Sequence, residues 1–130
     1  MVKLDRSVDR PVLPMAGSSA VYIGMPLGVI GHPSGLPQKI ADGGRVKSLL
    51  EEGEYFVSSL DVFAGSSGSP VISLESYQVV GMLVGGEQDY WLTDGGCYTV
   101  KQCAGNGEDC SGELIFNLSS LDLLLSVLFE

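Results

Sequence analysis

Ser67 sits in the stretch Leu60-Asp61-Val62-Phe63-Ala64-Gly65-Ser66-Ser67-Gly68-Ser69-Pro70-Val71-Ile72. Glycines on both sides of a serine permit a tight turn that Cβ atoms would block. Such a turn directs the backbone N–H groups of Gly65 and Ser67 toward one point. Two amides there hold a developing oxyanion, often the largest single contribution to acyl transfer. The Ser67 hydroxyl is then placed to attack the carbonyl whose oxygen those amides receive. A Gly/Ser run can also be a flexible linker; Pro70 and the apolar strand pattern after it argue for an ordered turn.

An alcohol becomes a good nucleophile only beside a base that a third group orients. The chain has one histidine, His32. It falls in a Gly-His-Pro turn, where a structural or surface place is the expectation. Asp61 reads most simply as a turn aspartate bonding local amides. Cys97, Cys103 and Cys110 leave at least one thiol unpaired within the chain. Their spacing does not resemble a CxxC pair. One disulfide in an exported protein therefore ranks ahead of free thiols, and a zinc site, which would need Asp109, Glu108 or an outside ligand, ranks last. The expected chemistry needs neither a metal nor a cofactor.

Around these residues the chain is built of short apolar runs punctuated by Gly, Pro and Ser. Strands are expected at Leu27–Gly31, Lys39–Ala41, Arg45–Leu49, Tyr55–Ser59, Pro70–Ser73, Val79–Gly85 and Tyr98–Lys101. Turns are expected at Gly31–Gly35, Asp42–Gly44, Gly65–Gly68 and Asp94–Gly96, and a long Cys- and Gly-rich loop over 96–112. This is an all-β pattern, an antiparallel barrel or sandwich over residues 1–117. Residues 118–130 read as a C-terminal helix: Ser119 or Ser120 can cap it, and Leu121, Leu124, Leu125 and Leu128 share a face.

One domain fits 130 residues. The net charge of −9, with no basic stripe, excludes nucleic acid as a partner. Lys3, Asp5 and Arg6 follow Met1 with no apolar run, so no signal peptide is read. The stretch Leu118–Phe129 is too short for a membrane span and carries Asp122.

The run Gly-x-Ser-Gly-Ser-Pro-Val at 65–71 resembles the nucleophile loop of trypsin-like serine proteases, of the bacterial glutamyl-endopeptidase kind. Three other pieces match in the same order. Val2-Lys3-Leu4-Asp5-Arg6 resembles the strand after the catalytic aspartate, Val29–Pro37 an early hairpin of the second barrel, and Val80–Gly86 the strand lining the substrate groove. Together they cover roughly residues 1 to 100. The resemblance implies the C-terminal half of that fold, a six-stranded Greek-key barrel. It makes Ser67 the nucleophile of a serine endopeptidase and gives the oxyanion-hole amides to Gly65 and Ser67. It has Val84, Gly85 and Gly86 pair with an extended peptide or protein substrate.

Trypsin carries a carboxylate six residues before its nucleophile, which selects Lys or Arg; Asp61 holds that place here. Glutamyl endopeptidases read acidic side chains with a groove-strand histidine, and Leu83 stands at that position. Ser66 replaces the common Asp or Asn. The family's base and its orienting aspartate belong to an N-terminal barrel, which these 130 residues do not include, so a missing barrel or partner chain is expected and the chain alone should be inactive. A non-catalytic peptide-binding or structural remnant of a protease is the alternative.

Overall fold

A computed structural model describes residues 4–17, 21–104 and 109–121. Six strands close into a barrel: β1 (Pro26–Gly31), β2 (Lys39–Leu50), β3 (Tyr55–Ser58), β4 (Pro70–Ser73), β5 (Val79–Gly85) and, last in the chain, β8 (Glu113–Asn117). They run in the order β1-β2-β3-β8-β5-β4, with β4 pairing back to β1. Every neighbouring pair is antiparallel. The insertion of β8 between β3 and β5 makes the connection a Greek key, as the resemblance implies.

Alternation along the strands fills the interior. Each strand sends at least one apolar side chain inward: Leu27 and Val29, Val46, Phe56, Val71, Leu83 and Ile115. Phe56 is the largest fully buried side chain. Its ring fits because β5 carries Gly81 opposite; a Cβ there would lie 3.1 Å from Phe56 Cζ and 2.9 Å from the Phe116 carbonyl oxygen.

Several details depart from the sequence pattern. Asp42-Gly43-Gly44 is not a turn between two strands. It lies inside the continuous β2 as a bulge, where Leu27 pairs Gly44 but Val29 pairs Ala41. Gly43, at φ +81°, takes the left-handed conformation that a bulge requires. Leu4–Arg6 form no strand; the N-terminal segment joins the barrel through a parallel bridge between Met15 and Val79.

The strand expected at Tyr98–Lys101 forms as β7 (Tyr98–Val100), and across the expected turn at Asp94–Gly96 it pairs with β6 (Tyr90–Leu92), a strand that was not expected. Strand β8 was not expected, because its buried positions are Glu113, Ile115 and Asn117, with polar residues facing inward at both ends. Leu118–Ser120 form a single 3-10 turn capped by the Asn117 side chain. The rest of the expected C-terminal helix, from 122, lies outside the described residues. Among the described residues no helix is long and apolar enough to cross a membrane.

Candidate functional site

The serine turn hangs between β3 and β4 at one mouth of the barrel. Gly65 and Gly68 have φ of +96° and +85°, the left-handed conformation the flanking glycines were expected to supply. A Cβ on Gly65 would also come 3.2 Å from the His32 carbonyl oxygen and 3.4 Å from the Ser34 nitrogen.

The turn's amides fall into two sets. Those of Ser66, Gly68 and Ser69 donate to the carbonyls of Phe63 (3.2 Å), Leu83 (2.7 Å) and Ser66 (3.0 Å). Those of Gly65 and Ser67 donate to no acceptor among the described residues. The Ser66 and Ser69 side chains are buried against Gly31 at the end of β1, where a Cβ would sit 3.1 Å from Ser66 Oγ. Ser67 is exposed. Ordered neighbours thus hold an outward-facing alcohol beside two uncommitted N–H groups.

His32 lies next to the turn through its backbone, but its exposed ring turns away. Nδ1–H donates to the Leu36 carbonyl at 3.3 Å, and no bond joins the ring to Ser67 among the described residues. Leu83 is buried and clamps the turn: its carbonyl accepts from Gly68 and its N–H donates to Ser69. Beyond Met82, β5 no longer pairs with β4. Val84 is exposed where the pairing with β8 shifts between Leu83 and Gly85. The segment Val84-Gly85-Gly86 therefore leaves the barrel with one edge open.

The β6–β7 region braces the turn from outside. The Asp89 carboxylate accepts the Ala64 N–H at 2.7 Å, the Tyr90 hydroxyl bonds Ser34 Oγ at 2.8 Å, and the Ser34 N–H donates to the Ala64 carbonyl at 2.6 Å. Tyr90 also packs on Phe63.

Beside the turn opens a cleft of about 570 Å³, walled by Asp61, Glu87, Asp89, Lys101 and Glu113 among others. Asp61 is exposed on its rim and bonds no local amide among the described residues. The disulfide Cys103–Cys110 borders the cleft, and Cys97 is free and exposed. With those two sulfurs joined, the group Cys103, Asp109 and Cys110 offers no pair of thiolates to a metal.

Sequence reasoning passed over Glu113. Its residue is only 9 % exposed, and it reaches Gly86 so closely that a Cβ on that glycine would collide with the carboxylate. Burial, then the negative charges of Asp89, Glu87 and Asp61, push its carboxyl up to about 7. Glu87 moves the other way. An ion pair with Lys101, and then the Gly112 N–H at 3.0 Å, hold its carboxyl below the ordinary range.

The raised Glu113 carboxyl has a consequence for stability. Below pH 4.5, its ordinary value, Glu113 is protonated whether the chain is folded or not and costs nothing. As pH rises to about 7 the unfolded chain gives up the proton first, so stability falls across that window. Glu113→Gln should leave the unfolding free energy unchanged at pH 4 and raise it by about 2 kcal/mol at pH 8, part of the full shift being screened by water in the cleft. Urea melts at the two pH values read this directly.

A closed antiparallel barrel with an outward serine on a glycine-flanked turn is a trypsin-like peptidase architecture. Residues 1–82 match the trypsin-like peptidase domain, and the chain belongs to that family. No curated protein matches the sequence. Among solved structures, the Rv3671c protease of M. tuberculosis in its inactive form superposes with a TM-score of 0.63 at 18% identity, over 94% of this chain and 57% of that one. Its active form gives 0.53 at 24%, over 79% and 55%. A serine-to-alanine variant of the HtrA-type protease AlgW with a decapeptide gives 0.65 at 13%, over 97% and 35%. The likeness is one of fold, and the chain spans about half or less of the length of these structures.

Proposed function

We propose that this chain is the nucleophile-bearing barrel of a serine endopeptidase. The observation that carries the reading is the division of amides in the turn: three of five are spent on holding its shape, while those of Gly65 and Ser67 are left for a ligand oxygen. Ser67 Oγ would attack the scissile carbonyl and give up its proton to a base. The carbonyl oxygen would become an oxyanion held by the two N–H groups. The leaving amine would take the proton from that base, and water would release the acyl group from Ser67. A peptide added as a strand along Val84-Gly85-Gly86 would be presented to the serine.

In this reading the base comes from outside these 130 residues, since the single histidine bonds Leu36 and not Ser67. Nor is the acid-reading branch favoured, since Leu83 is buried and apolar. A second reading, a peptide-binding barrel that never cuts, is favoured by the same lack of a base.

The test is to assay peptide hydrolysis by the 130-residue chain alone and in combination with a His/Asp-bearing trypsin-like barrel. The expected result is no turnover and little fluorophosphonate labelling of Ser67 alone, with both appearing in the combination. Binding without cleavage in both cases would establish the second reading. Turnover by the chain alone that disappears in Ser67→Ala would return His32 to the mechanism.

A further inference from the structure

Four of the five carboxylates that line the cleft beside the serine turn differ in what they are bonded to. Glu87 has Lys101 and the Gly112 N–H; Asp89 has the Ala64 N–H. Asp61 is exposed to water on the rim. Glu113 is nine-tenths buried, and no donor reaches its carboxylate among the described residues. Its oxygens still touch solvent, since among the described residues no side-chain oxygen is both buried and unbonded; the carboxylate is thus desolvated over most of its surroundings and open where it lines the cleft.

The position is also specific. Glu113 opens β8 opposite Ser58, and its carboxylate lies against the backbone of Gly86, the residue that follows β5. A peptide strand on the open edge Val84-Gly85-Gly86 sends alternate side chains to opposite faces, and a side chain turned inward there enters the cleft. The volume of about 570 Å³ accommodates a long one.

The charge of the site selects its partner. Besides Glu113, the cleft wall carries Asp42, Asp61, Glu87 and Asp89. Against them stand Lys101, already paired with Glu87, and Lys47 of β2, whose side chain runs beside Gly112 and whose Nζ donates to the Cys110 carbonyl at 2.6 Å.

We propose that Glu113 is a specificity-determining residue that pairs with the cationic side chain of a lysine or arginine in a peptide lying along Val84-Gly85-Gly86. The inference rests on the groove reading above. It assigns the recognition to a carboxylate that arrives from β8, rather than to Asp61 in the serine loop. An arriving cation supplies the donor that Glu113 lacks and offsets the surrounding negative charge. Because the ion pair needs the ionised carboxylate, and neighbouring acids and burial favour the proton, binding the cation releases a proton at mildly acidic pH. Affinity for a cationic side chain should therefore rise from pH 5.5 to pH 8.

The experiment measures binding to the chain, by fluorescence anisotropy, of three labelled peptides identical except for one residue: lysine, norleucine or glutamate. Each is titrated at pH 5.5 and pH 8 into the unsubstituted chain, Glu113→Gln and Asp61→Asn. The expected result is a preference for lysine over norleucine of roughly tenfold or more at pH 8, mostly lost at pH 5.5 and in Glu113→Gln and retained in Asp61→Asn. The norleucine peptide should bind Glu113→Gln as tightly as it binds the unsubstituted chain, which shows that the variant's groove is intact. A lysine preference that survives in Glu113→Gln, or that disappears only in Asp61→Asn, overturns the assignment. Equal binding of all three peptides overturns it while leaving the groove in place, and binding of none removes the groove reading with it.

Discussion

Ser67→Ala is expected to lower kcat/KM for peptide hydrolysis by roughly 10⁴-fold or more when the chain works with a barrel that carries its base. The loss should fall almost wholly on kcat. Ser67 is exposed and bonded to nothing among the described residues, so its removal leaves the turn, the groove and the cleft in place. Peptide affinity and the urea midpoint should therefore stay where they were. That separation of effects is informative: a serine whose only task was to shape the turn would disturb binding and stability first. Some rate over water, on the order of 10³-fold, should persist in the variant, because the amides of Gly65 and Ser67 remain, the backbone N–H of residue 67 being untouched by a side-chain change. A parallel fall in kcat and stability would mean that the hydroxyl is structural and that the acyl-enzyme reading is wrong.

How much of this could be read before any coordinates depends on how local the cause is. The serine turn was legible because its determinants sit within six residues. Glycines at 65 and 68 take positive φ, and the strand that starts at Pro70 anchors the far side. Strands β1, β3, β4 and β5 announced themselves as short apolar runs between turn residues. Two kinds of feature did not.

The bulge at Asp42-Gly43-Gly44 has the composition of a hairpin turn. Only the pairing of β2 with β1 and β3 over its whole length, and the seat of Leu60 against Gly44, make it a continuous strand. Strand β8 presents Glu113 and Asn117 inward and Leu114 and Phe116 partly outward, the reverse of a strand with an oily face. The residue that the cleft depends on was hidden for this same reason. Glu113 reaches Gly86 only because β8 inserts between β3 and β5, and no spacing in the sequence connects positions 86 and 113.

The core and the site meet at Phe56, and Phe56→Ala should cost about 4 kcal/mol of stability. The ring is wholly buried at the centre of β3, between Leu49 on β2 and Ile115 on β8, and it covers Gly81 of β5. Removing it leaves a void bounded by four strands of a closed barrel, which cannot collapse inward without breaking ladder bonds elsewhere. A Cβ on Gly81 cannot refill the space, since it would meet the Phe116 carbonyl oxygen at 2.9 Å; Gly81→Ala should add to the damage rather than repair it. For a domain of this size the loss corresponds to about 15 °C in Tm. The functional effect should travel by one route. Gly81 is two residues from Leu83, whose carbonyl and N–H clamp Gly68 and Ser69. Loosening β5 should therefore raise amide exchange at Gly68 and Leu83 before it does so at Ser34 and Leu36, whose bonds do not involve β5. Uniform loss of protection along the chain would instead show that the turn unfolds only with the whole barrel, and that β5 is not its specific support.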